Sequence, residues 1–421
     1  MSRINQFIAL SVFILLSPIA QAVSLENTNS DVIQSSTVKR AAANSVLANG
    51  QWLKISVTQD GIYKLDAQWF QAQGIDISKI DPRTIQLYSH QGGMLSELNA
   101  IPRPNDLPEN AILVTGESDG KFDANDYVLF YAQSPNVWQF DPTSKRFKHQ
   151  IHFYSEKTYL FLTYGQTSGK RVSSKSDGMS LTPDSTFNWF NYHEFHESEK
   201  ENICREGRVH LGEKFDQVTS YAFNHTLPNI ISNQTAKLYY QVASNATIAS
   251  NLVVKIDGVN KDVNSFYPLL VPTNCFESNG ERQVVFIPNQ NFQLEFQYNK
   301  LNSSCRAWLD YYELHASRSL DYAEPFMPFA NINSLAVNTT AYQLKNIANA
   351  GVIWDVTNPL SPAIQAYQTI GNVSEFRVQN AGQLRQYVLQ DNQFKTPQFE
   401  SFVSNQNLHG CANVQFIIVS A

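Results

Sequence analysis

The sequence predicts a mainly β protein: a β-rich N-terminal domain, then an antiparallel β-sandwich or jelly-roll domain, then a smaller mixed β segment. Three observations carry this expectation. Aromatic residues make up 12 % of the 421 residues, with 19 Tyr and 26 Phe, while charged residues are only 16 %, a balance that favours pleated, half-buried surfaces. Phe292, Leu294, Phe296 and Tyr298 alternate with Gln293, Glu295 and Gln297, which reads as a strand with one wet face. Asp-Gly pairs at Asp60-Gly61 and Asp257-Gly258 punctuate the apolar runs as hairpin turns do. The net charge of −6, from 31 Lys+Arg against 37 Asp+Glu, removes the bulk electrostatic case for nucleic acid.

Residues 1–22 read as a secretory signal peptide. Arg3 supplies the positive start, Phe7 to Leu16 the apolar run, and Ala20-Gln21-Ala22 the cleavage pattern. That run is too short to span a membrane, and the mature chain is expected to have no transmembrane span. Residues 23–47 are polar and read as a disordered leader. In residues 48–172, Leu53, Ile55 and Val57 alternate, Asp60-Gly61 turns, and Ile62 to Leu65 resumes as a hairpin partner. Asp66 to Gln73 reads as a short helix, with Asp66 as N-cap and Gly74 as stop. Strands are expected at Ile85 to Tyr88, Ala111 to Thr115, Tyr127 to Tyr131 and Tyr159 to Tyr164. A Ser- and Lys-rich link near Ser173 to Ser180 leads to the sandwich, residues 181–320, with strands at Lys237 to Val242, Leu252 to Ile256, Phe292 to Tyr298 and Ala307 to His315. Residues 321–408 hold strands at Val352 to Val356, Glu375 to Val378 and Gln386 to Leu389, and one helical candidate, Thr340 to Ala348. Val414 to Val419 suits a fully buried, parallel-type strand, expected to pack poorly in this chain.

The four cysteines, Cys204, Cys275, Cys305 and Cys411, sit in an exported chain where disulfides are permitted. Four cysteines allow three pairings; Cys275–Cys305, nearest in sequence, is favoured, and free buried thiols are the alternative.

Gly116-Glu117-Ser118-Asp119-Gly120 matches the G-x-S-x-G pattern, but a nucleophile elbow needs a helix next, and a strand at Tyr127 arrives instead. The same loop offers a calcium site: Glu117, Asp119, Asp123 and Asp126 fall at offsets 3, 5, 9 and 12 of an EF-hand-type loop with Gly120 at the turn. Against calcium stand Thr115 at the first ligand position and strands in place of helices, so a solvated acidic turn is the competing reading. His193-Glu194-Phe195-His196-Glu197 is one residue short of H-E-x-x-H; in a strand its two histidines point to opposite faces, and the stretch reads as polar surface. His409-Gly410-Cys411 reads as a loop, because catalytic Cys and His meet through the fold.

Several segments together resemble a known family. They are Trp52 to Val57 with Asp60 to Leu65, Ile80-Asp81-Pro82-Arg83, Arg103 to Leu107, Gly116 to Asp123 with Asp126-Tyr127, Arg205-Glu206-Gly207-Arg208 with Gly212-Glu213, Trp308 to Tyr311, Trp354 to Pro359, Thr396-Pro397 and Asn405 to Gly410. In this order and spacing the chain resembles the N-terminal, non-catalytic region of the type IX secretion system sortases of Bacteroidetes, the PorU family of gingipain-type cysteine peptidases. The resemblance implies a protein that cleaves C-terminal sorting signals of secreted cargo and attaches the cargo to anionic lipopolysaccharide. It implies an outer-membrane β-barrel partner and a place in the periplasm or at the cell surface. It also implies an α/β peptidase domain beginning at residues 409–421, inside which this chain stops. No position here matches the catalytic Cys and His, so the chain is expected to be inactive as given. The alternative is a stand-alone cell-surface β-sandwich binding module, for glycan.

Overall fold

Nearly every strand meets its neighbours in antiparallel register, so the mainly β expectation holds. The computed structural model describes residues 44–205, 209–269, 275–347 and 351–410. The signal peptide, residues 23–43 of the leader, residues 206–208, Ala348, Cys411 and Val414–Val419 lie outside the described residues; the end of the leader is ordered, with Leu47 buried in a 3-10 turn over Val46–Ala48.

The first layer is a five-stranded antiparallel sheet built on Gln51–Val57, which pairs on one side with Thr158–Tyr164 and on the other with Gln398–Val403. Leu53, Ile55, Leu160 and Leu162 leave no exposed surface, because alternate residues of these strands point to one packed face. A three-stranded sheet of Gly61–Asp66, Tyr127–Ala132 and Leu113–Thr115 shares that core. The helix Ala67–Ala72 forms where expected: the Asp66 carboxylate accepts from the Trp69 amide, and Gly74 adopts a positive φ of 76° just past its end. The hairpin expected at Asp60-Gly61 does not form. Asp60 is half-buried and accepts from the Ser134 amide at 2.7 Å, and Gly61–Asp66 pairs with Tyr127–Ala132 instead of Gln51–Val57.

The second layer is a sandwich. One sheet runs Trp189–Glu197, Ala307–Ser319, Ala236–Ser244, with Arg282–Phe286 on the far edge. The other runs Ser220–Thr226, Asn291–Asn299, Ser250–Ile256, Val259–Phe266. Phe292, Leu294, Phe296 and Tyr298 are buried between them, as their alternation predicts. Asp257 and Gly258 both take positive φ, 48° and 75°, the twist a two-residue hairpin turn requires.

The third layer holds two smaller sheets. Ser173–Lys175 pairs in parallel with Ala363–Gln365, and that sheet continues through Val352–Asp355 and Tyr387–Gln390 to Phe326–Phe329. Thr339–Lys345, expected as part of a helix, is a central strand between Ser185–Phe187 and Val373–Gln379. Its Thr339, Thr340 and Tyr342 suit a pleated surface, and Tyr342 stacks on Phe376 with centroids 5.3 Å apart.

The disulfide joins Cys204 to Cys275, with Cα atoms 5.4 Å apart, and not Cys275 to Cys305. Cys305 is a free thiol sunk in the sandwich core beside Ala307. Nearness in sequence misled because residues 276–304 form three strands, Glu277–Ser278, Arg282–Phe286 and Asn291–Asn299, that cross from one sheet of the sandwich to the other and carry Cys305 into the interior.

Candidate functional site

The acidic loop of residues 116–126 resolves its charges locally. Gly116 and Gly120, with φ of 88° and 78°, bracket a single 3-10 turn over Glu117–Asp119. Glu117 accepts from Arg171 Nε at 2.7 Å, Asp119 from the Lys121 amide at 3.0 Å, and Asp126 from the Asp123 amide at 2.8 Å. Asp126 is buried while Asp119 and Asp123 face solvent, so the four carboxylates do not converge. Among the described residues no group of three or more His, Cys, Asp or Glu side chains is placed to hold a metal ion.

A denser charged cluster lies where the hairpin Val137–Asp141/Arg146–Gln150 rests on the sandwich. In the ladder between Trp189–Glu197 and Ala307–Ser319, Phe195 sits opposite Glu313, His193 opposite His315, and Glu197 opposite Tyr311. These six side chains therefore share one face of the sheet. The hairpin covers that face. Trp138 packs on His193 with centroids 4.4 Å apart, Phe147 stacks on the same imidazole at 4.5 Å, and His149 stacks on Phe195 at 4.5 Å. The expected polar surface at His193 to Glu197 is thus half-buried: His193, Phe195 and Glu197 lie against the hairpin. On the opposite face Glu194 meets His225 at 2.6 Å and His196 meets Glu213 at 3.1 Å. The two histidines do point to opposite faces, but each face has a layer against it.

Glu313, with 2 % of its side chain exposed, is the hub. One oxygen accepts from Arg146 Nη1 at 2.5 Å and His315 Nε2 at 3.1 Å; the other accepts from the His149 amide at 2.9 Å and His149 Nδ1 at 2.7 Å. Arg146 also meets Glu281 at 2.6 Å and lies 3.7 Å from the centre of the Tyr239 ring, and His149 Nε2 reaches Glu197 at 2.5 Å. A buried carboxylate is tolerated only when paired and hydrogen-bonded in this way.

The cluster sets its own protonation states. Burial alone would lower the His149 pKa, but the bonds to Glu197 and Glu313 override it and raise the imidazole to about 9. Burial would raise Glu313, and the bonds from His149, His315 and Arg146 hold it well below the usual carboxylate range instead. His193, with no such partners and the charge of His315 nearby, is pushed down to about 3 by burial and stays neutral. Next to the hub, burial and the charge of Glu197 push Asp310 up to about 7 and Glu199 up to about 7. The arrangement binds two layers together through two cations and three carboxylates, in a proton-dependent way. It presents no activated nucleophile: the free thiol among the described residues, Cys305, is buried elsewhere.

Sequence reasoning passes over Arg146, His149, Glu281 and Glu313 because they come from three separate segments. One signal was readable: Asp141-Pro142-Thr143-Ser144 is a turn composition between two aromatic runs, and it marks the hairpin although not its docking.

No family model matches the chain, and no curated protein matches it. Among solved structures, dimeric latent PorU from Porphyromonas gingivalis superposes with a TM-score of 0.78 at 21 % identity, covering 90 % of this chain and 35 % of that one. A carbohydrate-binding module of family 36 in complex with calcium and xylotriose aligns at 12 % identity over 29 % of this chain and 98 % of that module, with a TM-score of only 0.21. A β-porphyranase from Bacteroides plebeius aligns at 11 % identity over 64 % of this chain and 35 % of that chain, again at 0.21. Likenesses that weak carry no argument. No helix among the described residues is long and apolar enough to cross a membrane, and the disulfide accords with an exported protein. The chain spans about a third of the length of PorU, and in fold it is similar to the N-terminal region of that protein.

Proposed function

We propose that this chain is the accessory, non-catalytic β region of a type IX secretion sortase-like protein. The observation that carries the reading is the superposition on PorU over 90 % of the chain at a TM-score of 0.78. In this reading, cleavage of C-terminal sorting signals and attachment of cargo to anionic lipopolysaccharide belong to a catalytic domain outside these β layers. The layers supply a rigid platform at the periplasmic or outer-membrane face, next to an outer-membrane β-barrel and to the incoming cargo. The ionic cluster under the 137–150 hairpin serves that role by fixing the first layer to the sandwich. The test is genetic: removing residues 48–408 from the gene in its host, and leaving the rest of the reading frame intact, should leave cargo with uncleaved sorting signals. Normal cargo processing in that strain would overturn the reading and favour a stand-alone surface binding module.

A further inference from the structure

A cavity of about 420 Å³ opens in the third layer, between the sheet that contains Ala363–Gln365 and Tyr387–Gln390 and the strand Val373–Gln379. Its wall holds three buried polar atoms that lack a hydrogen-bond partner: the Tyr387 hydroxyl, the Gln365 side-chain carbonyl and Arg385 Nε. Tyr387 and Gln365 are each 1 % exposed. Groups this deep are ordinarily paired, and leaving them unpaired costs about 1–3 kcal/mol each.

The unpaired set is chemically definite. The Gln365 amide nitrogen is held by the Ser176 carbonyl at 2.7 Å and the Ala366 carbonyl at 3.0 Å. That fixes the amide orientation and leaves its oxygen as a pure acceptor. Burial pushes the Tyr387 phenol well above its ordinary pKa, so it stays protonated and can donate. The ring cannot turn away, since it packs on Phe329 and Phe376 with centroids 5.3 and 5.0 Å apart. The other charges of the wall are compensated: Lys175 pairs with Asp355, and Arg377 pairs with Glu375. Arg385 bonds only a backbone carbonyl, that of Gln379 at 3.2 Å, and meets no carboxylate among the described residues.

One uncompensated cation and one phenol donor call for one oxyanion, and one bare carbonyl beside them calls for a donor on the same molecule. We propose that this cavity binds a small hydroxylated carboxylate, its carboxylate on Arg385 and Tyr387 and a hydroxyl on Gln365. The volume suits a molecule of sugar-acid size, since ligand pockets begin at roughly 300 Å³.

Isothermal titration of the full 421-residue chain with gluconate tests this. Saturable binding is expected, weakened at least tenfold by Arg385→Gln and by Tyr387→Phe. Tyr387→Phe is the folding control: it deletes a hydroxyl that makes no bond, so its melting temperature should equal or exceed that of the native chain. Glucose, which lacks the charge, and acetate, which lacks the hydroxyl, should each bind at least tenfold more weakly. Three outcomes would overturn the proposal: no gluconate binding, which would leave a cavity holding water alone; gluconate binding unchanged in both variants; or acetate and glucose binding as tightly as gluconate.

Discussion

The chain contains two concentrations of carboxylates, and they behave oppositely. Glu117, Asp119, Asp123 and Asp126 are close in sequence and end up apart: Glu117 is tied to Arg171, Asp119 and Asp126 to neighbouring amides, and Asp123 faces solvent. Glu197, Glu281 and Glu313 are scattered over more than a hundred residues and end up together around Arg146 and His149. The difference is dielectric. In the exposed loop water screens the charges, and local turns satisfy them at little cost. Under the hairpin Arg146 and Glu313 are almost wholly out of water, so the buried carboxylate must find a cation, and the fold must bring one from a distant segment.

The largest effect should come from the hub. Glu313→Gln removes the negative charge that Arg146 and His149 share and turns one of its two acceptor oxygens into a donor facing a cation, which should cost about 3–5 kcal/mol in urea unfolding. A cost below about 1 kcal/mol would place the hub with ordinary surface pairs.

The pH dependence should be next in size. His149 has its folded pKa raised from 6.5 to about 9, so its contribution is fully present below pH 6.5 and is lost as pH rises through about 9. That loss is on the order of 3 kcal/mol. Thermal melts at constant ionic strength should show the decline, and His149→Gln should flatten it. Asp310 is raised from 3.8 to about 7, so its contribution, largest in acid, is lost as pH rises toward 7. Asp310→Asn should therefore raise stability at neutral pH, by about 1 kcal/mol or more. Glu313 is shifted the opposite way, and its contribution disappears only in strong acid. An unchanged melt profile in His149→Gln would show that the imidazole is not held as a cation.

The smallest effect belongs to the loop. Asp119→Ala with Asp123→Ala should change stability by less than about 0.5 kcal/mol, as surface substitutions usually do. The same double variant addresses calcium. The loop geometry predicts no calcium-dependent rise in melting temperature, and a rise abolished by the double substitution would mean that the four carboxylates close around an ion.

What the sequence disclosed and what it hid follow the same division. Local periodicity was legible: the alternation of Phe292 to Tyr298 and the Asp66 and Gly74 signals name their elements correctly. Pairing across distance was not. Asp60-Gly61 has hairpin composition, yet the strand that follows it pairs with the distant Tyr127–Ala132. Thr339–Lys345 carries no decisive helical or strand period, and its two neighbouring strands settle it. The same holds for Cys275, whose partner is Cys204, 71 residues away, and not the nearer Cys305. The charged cluster needed all of these long-range pairings before any of its distances existed.

The claim that the buried cluster fixes the hairpin to the sandwich is tested most directly by a double-mutant cycle on Arg146 and Glu313. Arg146→Met, Glu313→Leu and the double variant are unfolded in urea at neutral pH. The account predicts strong coupling: the double variant should be more stable than the sum of the single losses implies, by about 1.5 kcal/mol or more, because each single change strands a buried charge that the double change removes. Additivity within about 0.5 kcal/mol would mean that the two side chains act independently, and would contradict it.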